Sequence, residues 1–199
     1  MSTGDVVPVR ERARRSVRLE LTLLAQDLFV TKGYVQTTVD DIAAAAGMSK
    51  RTFFRYFASK EDLVVGKYEF LGDMLVDDLA ARPHDEPVWE SLRRAFDRLA
   101  EYFDDERNRA RAVEMEKIIR SNTALNAGHM ERMWRAQERL VALLRERRGS
   151  NGRHSPRLDA IVGAALSCLM AAKTAWVDSN KARRFSVLLD EAMGALKPS

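Results

Sequence analysis

Apolar residues recur along the chain at spacings of three and four, while strictly alternating runs are scarce, so the pattern predicts helices throughout and an all-α fold. Val17, Leu21, Leu24, Ala25, Leu28 and Phe29 form one stripe of a 3.6-residue period. That first helix ends at Gly33, because glycine readily takes the left-handed conformation favoured at helix C-termini. "TTVDD" opens a short second helix, with Thr38 as N-cap and Asp41 as its capping-box partner, and Gly47 stops it. Ser49 caps a third helix. "SKED" (59–62) is a second capping box opening a fourth, which runs through Leu63, Lys67, Phe70, Leu71, Met74 and Leu75 until "ARPHDEP" breaks it. Further helices are predicted over the stripe from Trp89 through Leu92, Phe96 and Leu99 to Phe103, over about 107–120 and over about 123–148. After the loop "GSNGRHSP" (149–156) come two more, marked by Leu158, Val162, Ala165, Leu169 and Trp176, then by Phe185, Leu188, Leu189, Ala192 and Leu196. Three short helices followed by six longer ones make about nine, with no internal repeat.

Composition narrows the function classes. The 199 residues are 46% hydrophobic and 31% charged, enough apolar material for a core. No uninterrupted apolar run reaches the length a bilayer requires, and "MSTGDVVPVRERARR" has no apolar stretch after its charges, so a cytoplasmic protein without membrane contact is expected. The single cysteine, Cys168, excludes an internal disulfide framework, and it sits on an apolar helix as a small core residue would. His84, His129 and His154 are scattered. There is no metal-spaced cluster, glycine-rich phosphate loop or nucleophile elbow, so neither catalytic residues, a metal nor a cofactor is expected. The net charge is only +4, but residues 1–67 hold eleven Lys+Arg against eight Asp+Glu. "RERARRSVR" (10–18) alone has five arginines and one glutamate; such a run reads equally as a solvated tail or as an electrostatic arm for a polyanion.

The second and third helices are joined by Gly47-Met48-Ser49, the spacing of a helix-turn-helix (38–57), in which the second helix enters the DNA major groove. The run Ala43–Ala46 suits close helix approach. On a wheel of about 100° per residue, Phe53 and Phe57 share one face as an anchor. Arg51, Thr52, Arg55 and Tyr56 spread over the opposite arc, with Lys50 and Phe54 at the flank. Arginine can pair bidentately with guanine, and threonine and tyrosine can reach phosphate. Thr38 and Ser49 lie at helix N-termini, where free N–H groups and the helix dipole favour an anion, and Lys60 adds a full charge at the start of the fourth helix. Simple capping is the competing reading for these residues.

Ala25, Leu28 and Phe29, then "KGY" (32–34), "TTV" (37–39), "DIA" (41–43), "AAGMS" (45–49), "TFFRYF" (52–57) and "SKEDL" (59–63), resemble the DNA-binding domain of the tetracycline-repressor (TetR) family of transcriptional regulators. The resemblance covers roughly 60 contiguous residues. It implies a basic arm over 1–14, a DNA-binding domain over 15–75 and a helical ligand-binding and dimerisation domain over 76–199. By position it implies DNA contacts from Thr38, Lys50, Arg51, Thr52, Tyr56 and Lys60, to which the residue reading adds Ser49 and Arg55, with Arg15 and Arg18 as arm contacts. The family often has tyrosine where this chain has Phe54, which puts a phosphate contact there in doubt.

The resemblance further implies a homodimer on a palindromic double-stranded operator, acting as a repressor released by a small, apolar effector. The C-terminal half also resembles an actinobacterial subgroup that binds acyl-CoA-like molecules. Dimer contacts are expected from the last two helices at Leu158, Val162, Ala165, Leu169, Trp176, Phe185, Leu188, Leu189, Ala192 and Leu196. A cavity would draw its lining from Phe70, Met74, Trp89, Phe96, Phe103, Met115, Ile119, Met130, Met133, Trp134 and Cys168, with plain core as the alternative and fewer than half expected to touch a ligand. Arg120 or His129 would serve a polar head, although a surface role is favoured for each. The competing functional class is a ligand-binding or protein-interaction module with this fold but no specific DNA recognition.

Overall fold

The computed structural model describes residues 9–148, 156–179 and 183–196, and every regular element among them is an α-helix. They belong to two compact units, Met1–Lys67 and Tyr68–Ser199. The division falls inside a continuous helix, which is why no break in the sequence marks it and the sequence-based boundary lies at residue 75 instead.

The first unit contains α1 (Val9–Lys32), α2 (Val39–Ala45), α3 (Lys50–Phe53) and the opening turns of α4 (Lys60–Ala80). Residues 9–14, expected as part of an arm, are helical and extend α1 backwards. Leu21, Ala25 and Phe29 from α1, Ile42 and Ala43 from α2, and Phe53, Phe57 and Leu63 are all buried and make this unit's core. Both glycine stops hold. Gly33 has φ +89° and Gly47 φ +63°. At the end of α2 the Gly47 N–H donates to the Ala44 carbonyl and the Met48 N–H to the Ala43 carbonyl, the paired bonds of a Schellman cap.

The second unit holds the rest of α4 with α5 (Val88–Ala95), α6 (Asp97–Asp104), α7 (Glu106–Ser121), α8 (Thr123–Arg148), α9 (Arg157–Asp178) and α10 (Phe185–Ala195). The stripe from Trp89 to Phe103 is not one helix: it divides at the buried Phe96 into α5 and α6, so ten helical segments stand among the described residues where about nine helices were expected. The expected loop at 149–156 lies almost wholly outside the described residues, as does His154. At the core's centre Phe103 packs 5.3 Å from Trp176 and 4.6 Å from Phe185. α10 is capped from afar, its Phe185 N–H donating to Asp104 Oδ1 at 2.6 Å.

Two sequence readings change here. By length and composition α9 is apolar enough to cross a membrane, although Asp159 and Lys173 interrupt its apolar run. Much of it is buried in the core, including Lys173. The residues expected at a dimer interface are also mostly core: Leu158, Val162, Ala165, Leu169, Trp176, Phe185, Leu188 and Leu189 are buried within the chain itself, Ala192 is half-buried and only Leu196 is exposed. An apolar stripe states that a face is covered, and here its own chain covers it.

Candidate nucleic-acid interface and effector cavity

Around α3 the local chemistry fixes which side chains face outward. Ser49 Oγ accepts from the Thr52 N–H at 3.1 Å and lies 2.9 Å from the Thr52 hydroxyl, so both serve the cap. Past Phe53 the backbone tightens, with the Arg55 and Tyr56 N–H groups donating to the carbonyls of Thr52 and Phe53. The regular helix is therefore one turn long and continues as a turn, not as helix to Phe57. The anchor survives: Phe53 and Phe57 are both buried, 5.9 Å apart. Arg51 and Arg55 are exposed and have no ion-pair partner among the described residues. Phe54 is 48% exposed and meets Phe53 edge-on at 5.6 Å.

Other expected contacts are already engaged. Lys50 pairs with Asp40 at 2.9 Å, an exposed pair that holds it weakly. Thr38 forms the complete capping box, its Oγ1 accepting from the Asp41 N–H at 3.1 Å while its own N–H donates to Asp41 Oδ2 at 2.7 Å. Lys32, joined by Thr38, holds that carboxyl well below the usual carboxylate range. At the second box the Asp62 N–H donates to Ser59 Oγ, and the Asp62 carboxylate accepts from the Ala58 N–H. Lys60 donates to the carbonyls of Tyr34 (2.7 Å) and Thr37 (2.9 Å) and sits 4.1 Å from the Tyr34 ring centroid, closing the α1–α2 loop onto α4. Arg18 donates to the Tyr56 carbonyl at 2.8 Å and stacks on Phe57 at 4.4 Å, and Arg15 lies 3.6 Å from Glu11. Tyr56 is half-buried beside it.

The second unit contains a narrow cavity of about 20 Å³, room for about one water. Leu71, Gly72, Leu75, Leu99, Phe103, Met133, Ala136, Leu169 and Met170 line it, with Tyr68 and Lys173 supplying polar atoms. Gly72 matters to its width, since a Cβ there would stand 3.3 Å from that of Ala136. Of the expected lining residues only Phe103 and Met133 take part. Trp89, Phe96, Met115, Ile119 and Cys168 are core and Met74 packs against it; Phe70, Met130 and Trp134 are exposed. Arg120 is exposed and pairs with Asp178 at 3.0 Å.

Behind the cavity lies a polar cluster that the sequence reading did not assemble. Lys173 Nζ is 2.7 Å from Glu116 Oε1, and the Tyr68 hydroxyl donates to the same oxygen at 2.8 Å. His129, read as a surface residue, is 1% exposed, with its ring 4.0 Å from that of Tyr68. Neither of its ring nitrogens has a partner among the described residues. Burial and the neighbouring Lys173 cation push its pKa down to about 4, so the imidazole is neutral. Burial alone would raise Glu116, but the Lys173 ammonium and the Tyr68 hydroxyl hold it below the ordinary range. Burial, reinforced by the Glu116 charge, keeps Tyr68 protonated. The available signal was Lys173 itself, a lone charge inside "SCLMAAKTAWV".

Residues 22–65 match the family described as bacterial regulatory proteins, tetR family, and residues 86–199 match the MftR C-terminal domain. The chain is 27% identical over 203 residues to the HTH-type transcriptional regulator TcmR of Streptomyces glaucescens, across 99% of this chain and 90% of that one. It is 29% identical over 187 residues to the putative mycofactocin biosynthesis transcriptional regulator MftR of Mycobacterium tuberculosis, across 92% and 89% of the two chains. Its fold matches that of the Thermus thermophilus repressor FadR, solved in complex with lauroyl-CoA, at a TM-score of 0.62 and 20% identity over 90% of this chain and 92% of that one. A buried aromatic anchor beneath exposed arginines, set on a capped helix-turn-helix and followed by a matching C-terminal domain, has one family reading: the chain belongs to the TetR family of bacterial transcriptional regulators.

Proposed function

We propose that the protein is a cytoplasmic, dimeric repressor that leaves a palindromic operator when a small, largely apolar effector enters the cavity of its second unit. The observation that carries the DNA half is the pair Arg51 and Arg55, exposed and without ion-pair partners among the described residues while Phe53 and Phe57 hold their helix to the core. Base reading falls to these arginines. Lys50 reaches phosphate by leaving its exposed pair with Asp40, Tyr56 and the N-terminal arginines Arg15 and Arg18 contribute at the margin, and the N-termini at Thr38, Ser49 and Lys60 present N–H groups to the backbone. The lauroyl-CoA complex of FadR makes acyl-CoA the first effector class to try.

For the dimer we assign the uncovered face of α9, where Ala160, Ser167, Ala171 and Thr174 are exposed at helical spacing, together with exposed Val187 of α10. Small side chains there let a second helix approach closely. Release requires that the effector bind one pose of α4 better than the other, since equal affinity shifts nothing. The test is fluorescence anisotropy with labelled DNA from upstream of the protein's own gene, with and without acyl-CoAs. Binding that prefers this DNA over scrambled sequence and weakens with effector is expected. No preference for any sequence in a random pool would overturn the reading.

A further inference from the structure

We propose that the cavity, on widening from its resting volume of about 20 Å³, takes an uncharged, largely apolar molecule bearing one hydroxyl group, and that this hydroxyl inserts between Tyr68 and Glu116. The inference narrows the effector reading above to neutral ligands, away from charged acyl-CoAs, and rests on that reading only for the consequence at DNA.

The walls favour an apolar body: Leu71, Leu75, Leu99, Phe103 and Met133 line it. The polar end decides the head group. Both Tyr68 and Lys173, which border the cavity, converge on a single oxygen of Glu116, at 2.8 and 2.7 Å. A ligand carboxylate placed there meets the Glu116 charge, and a ligand ammonium meets that of Lys173. In a dry interior either like-charge approach is costly. A carbonyl accepts from Tyr68 but gives Glu116 nothing in return, which leaves a buried carboxylate with one donor fewer. A hydroxyl is both donor and acceptor, so it accepts from Tyr68 and donates to Glu116, and every bond displaced is replaced. Next to Tyr68, at 4.0 Å between tilted rings, the two ring nitrogens of His129 have no partner among the described residues, so polar capacity remains beside the Tyr68–Glu116 bond. Inserting an oxygen into the Tyr68–Glu116 bond separates the two side chains, and Tyr68 belongs to α4, the helix that also begins in the first unit.

The experiment is calorimetric titration of the full chain at pH 7.5 with three probes that share one body: 4-ethylphenol, ethylbenzene and 4-ethylbenzoate. 4-Ethylphenol is expected to bind at least tenfold tighter than ethylbenzene, with 4-ethylbenzoate weakest. Tyr68→Phe should erase the preference for the phenol and leave ethylbenzene unchanged. Met133→Trp, which fills the cavity from a half-buried wall, should abolish binding of all three. Equal affinity for phenol and hydrocarbon, tighter binding of the benzoate, no binding of any probe, a preference that survives Tyr68→Phe, or phenol binding that survives Met133→Trp would each overturn the proposal. Operator binding measured in the same samples separates the two readings. Phenol-selective binding without any DNA binding sinks the regulator and keeps the site, whereas DNA binding without phenol selectivity does the reverse.

Discussion

His129 carries a proton-linked cost that the neutral protein hides. Its native pKa of about 4 lies below the ordinary histidine value near 6.5, so the native state resists the proton that the unfolded chain accepts. The stability this represents is complete above about pH 6.5 and is lost as pH falls toward 4, to a total of about 3 kcal/mol. Thermal melts between pH 7 and pH 4.5 should show the loss, and His129→Phe should flatten that part of the profile. Glu116 acts in the same direction but lower down, its depressed pKa adding stability that disappears as pH falls through the folded-state value. The ion pair behind it makes a second prediction. Lys173→Met alone leaves a buried carboxylate uncompensated and should cost about 3–5 kcal/mol in denaturant titrations. The double variant Lys173→Met/Glu116→Leu should recover most of that loss. Beyond the lone charge of Lys173 the cluster was not legible beforehand, because Tyr68, Glu116, His129 and Lys173 come from four different helices and meet only through the fold.

Among the elements, those specified by neighbours in sequence were legible and those specified by distant partners were not. The Thr38–Asp41 box, the Ser49 cap and the glycine stops involve residues at most a turn or two apart, and each forms as read. The apolar stripe from Trp89 to Phe103 runs unbroken through Phe96, so no local pattern announces the break between α5 and α6 there. Lys60 shows the same limit: placed at a helix start it reads as a phosphate ligand, yet it also closes a loop 23 and 26 residues upstream. The turn into α3 is the element whose disturbance tells most. Gly47→Ala forces a side chain into the left-handed region and should cost about 1–2 kcal/mol in thermal stability. Arg51→Ala should instead leave stability alone and relax specificity at one base pair by about 1–3 kcal/mol, measured as the spread of affinities across operator variants.

For the whole molecule the decisive quantities are assembly and population. Ala171→Arg places a charge on the uncovered face of α9 and should convert a dimer to a monomer in sedimentation, without loss of helicity. The apolar residues expected at a dimer interface on the last two helices are instead mostly buried within the chain, so the proposed contact moves to the exposed side of the same helices. DNA binding by two arginine-bearing units should fall steeply as salt rises, because neutralised phosphates release counterions. The cavity adds a different kind of consequence. At about 20 Å³ the resting cavity has no room for an effector, so the proposed binding requires it to widen, and the unbranched Met133 and Met170 in its wall are the side chains best able to move aside. Apparent affinity is then the intrinsic affinity scaled by the open fraction; a protein open one time in about a hundred responds about a hundredfold more weakly than its contacts permit. Truncating Met170 to alanine would therefore lower the melting temperature while sharpening the response, and the concentration at which the protein would register an effector is set by how tightly its empty pocket stays shut.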